Sequence, residues 1–147
     1  MIALGCDHAA LNLKNAVLEH LQEKGYEVRD FGIYKDGEKC DYPNRAAEVG
    51  HAVQSGECEL GILICGTGVG MSIAANKLHG IRACCCSDVF SAKMCRQHNN
   101  ANILTFGERV VGRGLALELV DAFLGASFEG GRHQRRVDLI TALENEG

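Results

Sequence analysis

Five short strand-like segments alternate with stretches of helical periodicity, and this alternation constrains the fold more than any other feature of the sequence. The segments cover residues 1–6, 26–31, 60–65, 81–86 and 102–106, and 26–31 alternates between apolar and polar residues. Each has the length of a β-strand. Residues 60–65 are apolar throughout, which is typical of a strand buried on both faces of a parallel sheet.

Helices are predicted between these segments and after the last one. They cover residues 9–24, 43–55, 69–78, 88–97, 113–124 and 131–146. In the first of them apolar residues recur at helical spacing, and Gly25 follows as a stop signal. The alternation predicts a single three-layer α/β/α domain over residues 1–147, with a Rossmann-like, five-stranded parallel sheet.

Composition excludes several classes of protein. The 147 residues are 46% hydrophobic, which is enough to form a core and argues against disorder. The formal net charge of −4 argues against a general nucleic-acid binder. No apolar segment approaches the roughly 18 residues of a membrane span. We therefore expect neither nucleic acid nor a membrane as a partner.

The sequence contains eight cysteines, and such a count can indicate a secreted disulfide scaffold. However, the first residues carry no secretory signal, and the sequence contains no Cys-x-x-Cys pair. Most cysteines lie inside apolar segments, as small buried hydrophobes do in a reduced protein. We therefore predict a cytoplasmic protein with free thiols and no metal site.

In a parallel α/β sheet, ligands bind beyond the carboxyl ends of the strands. Polar and titratable residues follow the predicted strands at Asp7 and His8, at 65–70, and at Asp88. A further polar group, residues 96–100, directly precedes the fifth strand. We expect these groups to contribute to one site.

The loop after the third strand carries Gly66, Gly68 and Gly70. Such a loop can present backbone N–H groups to a phosphate or a developing oxyanion. A dinucleotide site with Asp88 about 20 residues on is an alternative. Its third glycine would fall at position 71, which is Met71. A tight turn without a ligand is a second alternative.

Cys65 ends the third strand and abuts this loop, so free N–H donors and a helix N-terminus favour its thiolate. It is a candidate base or nucleophile, the alternative being a small buried hydrophobe. Cys6 precedes Asp7, whose negative charge opposes ionisation of the thiol. His98 can donate or accept a proton at neutral pH.

Near the C-terminus, Arg132 and Arg136 are four residues apart and lie on one face of a helix, with His133 beside them. Two guanidinium groups and an imidazole suit a phosphate monoester. A solvated, charged helix start is the alternative.

Together these motifs resemble the sugar-phosphate isomerases of the ribose-5-phosphate isomerase B / galactose-6-phosphate isomerase family, over essentially the whole chain. The motifs that carry the resemblance are Gly5-Cys6-Asp7-His8, Asp41-Tyr42-Pro43, Ile64-Cys65-Gly66-Thr67-Gly68-Val69-Gly70, Ala74-Ala75-Asn76-Lys77, Arg96-Gln97-His98-Asn99, Phe106-Gly107-Glu108-Arg109-Val110 and Glu129-Gly130-Gly131-Arg132-His133.

The resemblance implies that D-ribose 5-phosphate and D-ribulose 5-phosphate are interconverted through a cis-enediolate, without a metal or organic cofactor. Cys65 is then the base, Thr67 and the loop amides stabilise the oxyanion, His98 assists ring opening, and Asp7 is a second polar partner near the sugar hydroxyls. The implied substrate-binding residues are His8, Tyr42, Gly66, Gly68, Val69, Gly70, Asn99, Arg109, Arg132, His133 and Arg136. Of these, His8, Arg109, Arg132, His133 and Arg136 hold the phosphate, and Asn99 and Tyr42 line the sugar site.

The resemblance also implies a homodimer whose sites are shared between subunits, with the helix at 131–146 packing on the partner; whether dimers pair into tetramers stays open. One branch of the family uses a glutamate where this chain has Met71, which assigns the chain to the cysteine branch. Six-carbon sugar phosphates (allose 6-phosphate or galactose 6-phosphate) and free sugars are alternative substrates. A nucleotide-binding domain of Rossmann type and a redox-sensing thiol protein are alternatives of other classes.

Overall fold

Five parallel strands form one sheet in the computed structural model, which describes residues 1–146. The strands are β1 (Ile2–Cys6), β2 (Val28–Asp30), β3 (Leu60–Cys65), β4 (Ala83–Cys85) and β5 (Ile103–Gly107). Their order across the sheet is β2-β1-β3-β5-β4. This confirms the predicted five-stranded parallel sheet.

Six helices accompany the sheet within the described residues. They are α1 (Leu11–Glu23), α2 (Tyr42–Gln54), α3 (Val69–Ala75), α4 (Val89–Asn99), α5 (Arg113–Gly125) and α6 (Arg132–Glu144). None of the helices in residues 1–146 has the length and apolar character needed to cross a bilayer.

The alternation of side chains along each strand divides the core between the two faces of the sheet. On one face, Leu4, Ile62 and Phe106 pack with α1, α4 and α5. On the other face, Leu63 and Ile103 pack with α2 and α3. Both faces are thus covered by helices, as a parallel sheet requires.

The edge strands are shorter than the sequence predicts. β2 keeps only 28–30 of the predicted 26–31, and β4 keeps 83–85 of 81–86. Each edge strand begins opposite the first residue of its neighbour, Ile2 for β2 and Ile103 for β4, so its ladder starts later than the sequence predicts. Helix α3 also ends early, at Ala75, because the Asn76 side chain turns to bond the backbone of Ala83 in both directions.

Strand order reverses direction beside β1, because the chain passes from β1 to β2 on one side and later returns to β3 on the other. Such a switch point opens a crevice at the carboxyl ends of the two strands. The loops that follow β1 and β3 therefore flank this crevice, and β5 lies next to β3.

Glu108 joins two of these loops. Its backbone N–H donates to the carbonyl of Cys65 at 2.9 Å. Its carboxylate accepts a hydrogen bond from the N–H of Leu13 at 2.9 Å, in the first turn of α1. The N-cap residue of α1, Ala10, has no side-chain acceptor. Glu108 thus caps α1 through Leu13, which is 95 residues away from it in the chain.

Replacing Glu108 with alanine leaves the Leu13 N–H without its acceptor. We expect the free energy of unfolding to fall by about 1 kcal/mol, which is typical for loss of a helix cap. Glu108→Gln keeps an acceptor oxygen and is the matched control, expected to lose less than half as much. Urea denaturation of the three proteins measures the difference, and equal stability of the alanine variant and the wild type would contradict the capping role.

Candidate active site

Cys65 ends β3 with its side chain on the α2–α3 face of the sheet. The thiol is buried, and the backbone N–H of Gly68 donates a hydrogen bond to its Sγ at 3.1 Å. The sulfur therefore faces the glycine loop, as the sequence predicts.

The glycine loop has no room for side chains where it crosses β5. Gly68 has a φ of +85°, and a Cβ built there lies 2.6 Å from the Cα of Phe106. A Cβ on Gly107 would lie 2.3 Å from the Cα of Thr67. Glycine is thus required at both positions by close backbone approach, and at Gly68 by the left-handed conformation as well.

The remaining residues of the loop are exposed or lie against neighbouring side chains. Thr67 Oγ1 accepts a hydrogen bond from the N–H of Val69 at 3.2 Å, and Val69 itself is exposed. The ring of Tyr42, at the start of α2, occupies the space beside Gly70, 2.6 Å from where a Cβ would stand. Tyr42 is thereby placed at the mouth of the loop.

The loop after β1 lies next to this group. The Asp7 N–H donates to the carbonyl of Ile64 at 3.3 Å, so Asp7 directly neighbours the end of β3. Its carboxylate is nearly buried and accepts from the N–H of Ala9 at 2.9 Å. His8 is exposed and lines a small pocket with Cys40 and Asp41.

Arg109 approaches the loop from the end of β5. Its N–H donates to the carbonyl of Gly66 at 3.0 Å, and its guanidinium would lie 3.5 Å from a Cβ on that glycine. The structure thus gathers Asp7, the 65–70 loop and Arg109 at one edge of the sheet. His8 and Tyr42 flank this carboxyl-edge group.

Cys6 is the other thiol at this edge. Burial raises the pKa of its side chain to about 12, so it remains a neutral thiol at physiological pH. Met71 is fully buried in the core between the sheet and α3. Neither residue can serve as a base in the loop.

His98 and Asn99 lie elsewhere, which corrects the expectation that residues 96–100 join the strand-end residues. They end α4, whose 11 residues run back about 16 Å from the carboxyl edge. The carbonyl of Asn100 accepts a hydrogen bond from the Arg82 side chain at 2.8 Å, just before β4. Residues that precede a strand of a parallel sheet lie at its amino edge, opposite the residues that follow one.

His133 joins His98 at the amino edge. The two imidazole rings stack with centroids 4.2 Å apart and planes inclined by 12°. One carboxylate oxygen of Glu129 lies 3.7 Å from Nε2 of His98 and 3.5 Å from Nε2 of His133. The Glu129 N–H donates to the carbonyl of Gln97 at 3.0 Å, which ties the two segments together.

Arg132 and Arg136 complete this amino-edge group on the first turns of α6. The pKa of His133 is lowered by burial and then by the positive charges of His98 and Arg132, against an opposing effect of Glu129. Within residues 1–146, neither Arg132 nor Arg136 forms an ion pair, since the ion pairs there involve other cations. The group has the charge needed to bind an anion.

His98, Glu129 and His133 also offer three metal-ligating atoms within 4.8 Å of one another. Two features disfavour a cation there. The positive charges of the nearby Arg132 and Arg136 repel a cation, and the closely stacked imidazole rings favour at most one protonated or metal-bound ring.

Asp88, the acidic residue of the dinucleotide alternative, has a structural role. It is the N-cap of α4, and its carboxylate accepts the N–H of Ser91 at 2.7 Å. Glu108 and Glu129 were not singled out by sequence reasoning. Both lie in motifs that carry the resemblance, but only the fold reveals their contacts.

Comparison with known proteins gives consistent matches over nearly the whole chain. The sequence model of a family described as Ribose/Galactose Isomerase matches residues 2–140. Ribose-5-phosphate isomerase B of Escherichia coli (strain K12) is 57% identical over 143 residues, which are 97% of this chain and 95% of that protein.

Two further relatives bear on the substrate. D-erythrulose-4-phosphate isomerase of Pectobacterium atrosepticum is 45% identical, over 99% of this chain and 95% of that one. The crystal structure of ribose-5-phosphate isomerase B from Mycoplasma genitalium with bound ribulose-5-phosphate superposes with a TM-score of 0.94 at 44% identity. That superposition covers 99% of this chain and 97% of the other.

Gly68→Ala tests the tight contact of the loop with β5. Gly25→Ala is the matched control, because Gly25 has a φ of +86° but nothing within 4 Å of its Cβ position. We expect Gly25→Ala to cost about 1–2 kcal/mol of stability through backbone strain alone. Gly68→Ala is expected to cost about 1–3 kcal/mol more through overpacking against Phe106. Equal losses in urea denaturation would show that the loop does not rest on β5.

Proposed function

Because the chain belongs to the ribose/galactose isomerase family and is an aldose–ketose isomerase, we propose that it interconverts D-ribose 5-phosphate and D-ribulose 5-phosphate. The family match confirms the resemblance carried by the sequence motifs. The observation that best supports the mechanism is the Cys65 sulfur at the mouth of a glycine loop, with the Gly68 N–H directed at it.

In this proposal Cys65 is the base that moves one proton. Its thiolate removes the proton from C2 of the open-chain aldose and returns it to C1, and the cis-enediolate lies between the two steps. The hydroxyl proton of O2 passes to O1 in the same conversion, so the atoms balance. No electron acceptor is needed, because aldose and ketose are isomers. Cys6 is the rival thiol at this edge, and burial keeps it protonated.

The charge that develops on the sugar oxygen needs fixed donors. The N–H groups of residues 66–70 and the Thr67 hydroxyl supply them, and a preorganised arrangement of donors is the largest single contribution in many enzymes. The close packing of Gly68 and Gly107 against backbone supports such preorganisation, because the loop cannot move closer to β5. Asp7 and Tyr42 face the sugar from the same edge.

The phosphate and ring-opening groups come from a second copy of the chain in this proposal. The amino-edge group lies about the length of α4 away from Cys65 of the same protomer. It consists of His98, Asn99, Arg132, His133 and Arg136. One chain therefore holds two halves of a site at opposite edges. A symmetric dimer joins the carboxyl-edge half of each chain to the amino-edge half of its partner.

Exposed apolar side chains support this assembly. Val69 and Ile73 on α3 are 51% and 59% exposed, beside the Cys65 loop. Ile140 and Leu143 on α6 are 45% and 64% exposed. Apolar surface of this kind marks protein–protein contacts. We propose that α6 packs on the partner subunit and brings Arg132 and Arg136 to the partner's Cys65 loop, together with His98. His8 and Arg109 meet the phosphate from the Cys65 side.

A cytoplasmic location is part of the proposal. All eight cysteines are free, and four of them besides Cys65 are buried: Cys6, Cys58, Cys86 and Cys95. Free thiols in such number suit a reducing compartment.

The similarity to a D-erythrulose-4-phosphate isomerase favours a four-carbon sugar phosphate as the second candidate substrate. An activity screen over four-, five- and six-carbon sugar phosphates and free ribose distinguishes the candidates. We expect the highest kcat/KM with ribose 5-phosphate. A higher kcat/KM with erythrulose 4-phosphate, allose 6-phosphate or galactose 6-phosphate would identify that sugar phosphate as the preferred substrate instead. No turnover of any of these compounds would overturn the proposed function.

Cys65→Ala removes the proposed base. We expect kcat for ribose 5-phosphate to fall by about 10³-fold or more, within the range typical of general-base removal, while binding of the sugar phosphate persists in calorimetry. Cys58→Ala is the matched control, because Cys58 is buried on the same face of the sheet and lies outside the site. Its kcat should stay near that of the wild type. Retained turnover by Cys65→Ala would exclude Cys65 as the base.

Arg136→Ala tests the phosphate site. Loss of a charge-assisted contact should raise KM by about 10-fold or more with little change in kcat. Arg135→Ala is the control, because Arg135 is also an exposed guanidinium on α6 but points about 100° away around the helix. An unchanged KM in Arg136→Ala, or an equal rise in both variants, would count against the assignment.

A further inference from the structure

Thr105 is a polar residue in the middle of a buried strand. It lies in β5, paired with Leu63 of β3 on one side and with Cys85 of β4 on the other. It has 0% exposure to solvent. Valine has the same shape and is favoured in such strands. Packing alone therefore favours a methyl group at the position of the hydroxyl. The contacts of the hydroxyl should show why threonine occurs here instead of valine.

The hydroxyl bonds to the glycine loop. Thr105 Oγ1 donates to the carbonyl of Gly68 at 2.8 Å, across 37 residues of sequence. That carbonyl also accepts the N–H of Ser72 at 3.1 Å, the first backbone hydrogen bond of α3. The carbonyl would thus be satisfied without Thr105. The Thr105 hydroxyl additionally fixes the orientation of the Gly68 carbonyl, because it connects the start of α3 to β5.

Cys85 contacts Thr67, the residue before Gly68 in the glycine loop. Its Sγ lies 3.6 Å from the carbonyl of Thr67, as a donor to it, and its side chain also contacts Thr105. The carbonyl of Thr67 and the N–H of Gly68 belong to one peptide group. Cys85 therefore holds one end of the peptide group whose N–H reaches Cys65.

We propose that Thr105 is a positioning residue for the isomerase reaction, holding Gly68 so that its N–H is directed at Cys65 Sγ. The inference rests on the proposed function for its kinetic consequence. Gly68 is flanked by Thr105 at its carbonyl and by Cys65 at its N–H, at 2.8 Å and 3.1 Å. Loss of the hydroxyl frees the carbonyl side, and the N–H loses its fixed direction.

Thr105→Val removes the hydroxyl and keeps the volume, and Thr105→Ser keeps the hydroxyl. We expect kcat to fall about tenfold in the valine variant, since small misplacements in a catalytic site cost one to two orders of magnitude. KM should stay within about twofold, because no phosphate contact changes. The serine variant should recover most of the lost kcat. Ser55→Ala is the control, because it deletes another hydroxyl that donates to a backbone carbonyl, that of Ala52 at 3.1 Å, at the end of α2.

A merely structural role would lower the melting temperature and leave kcat per folded molecule unchanged. Rates are therefore normalised to the folded fraction measured by circular dichroism. Wild-type kcat in folded Thr105→Val, or a serine variant as slow as the valine variant, would overturn the inference.

A second readout does not depend on the substrate. Alkylation by iodoacetamide, followed at each cysteine by peptide mass spectrometry, reports the reactivity of Cys65 itself. We expect Cys65 to react at least about threefold more slowly in Thr105→Val, in line with weaker thiolate stabilisation, while Cys40 reacts at the wild-type rate. If ribose 5-phosphate is not turned over by the wild type, the proposed function fails, and an unchanged Cys65 rate is then the result that would refute the role of Thr105.

Discussion

The structure of the site depends on one contact, in which the backbone of the glycine loop rests directly on the backbone of β5. Gly68 lies against Phe106, and Gly107 lies against Thr67, with clearances that exclude a Cβ on either side. Two backbone segments this close cannot shift independently. The contact places the Gly68 N–H next to Cys65, and it explains why a loop of small residues can be rigid enough to stabilise a developing charge.

The parallel sheet has a second consequence, because residues after a strand and residues before a strand lie at opposite edges of it. Asp7, Cys65 and Arg109 come after strands and meet at the carboxyl edge. His98 and His133 lie at the amino edge, where Glu129 bridges them. One chain thus carries two separate groups of polar residues, which we propose to be a proton-transfer site and an anion site. In this proposal, symmetric pairing of two chains joins them without altering the fold.

Much of this could be predicted from the sequence, because the fold and the carboxyl-edge site depend on local patterns. Segment 60–65 with glycines at 66, 68 and 70 after it encodes a strand, a tight turn and a helix start in consecutive residues. Each step is decided by neighbours in sequence, so the position of Cys65 is a direct consequence. The edge strands were predicted too long, because each begins only opposite the first residue of the neighbouring strand.

Other features depend on contacts between distant residues and could not be read from the sequence. Glu108 caps α1 at a residue 95 positions away, and Thr105 bonds to a loop 37 residues away. The separation of His98 from Cys65 was missed for a related reason. Position 98 is close to β5 in sequence, but it lies at the opposite end of that strand from the loop at 65–70.

The central claim is that each active site is built from two chains. It is tested most directly by mixing Cys65→Ala with the double variant Arg132→Ala/Arg136→Ala, unfolding and refolding them together, and measuring kcat/KM for ribose 5-phosphate. Random pairing makes half of the dimers hybrid, and each hybrid has one site with both native halves. A shared site predicts recovery to about a quarter of wild-type activity, with each variant refolded alone at about a hundredth of the wild-type kcat/KM or less. A mixture no more active than its components would contradict a shared site.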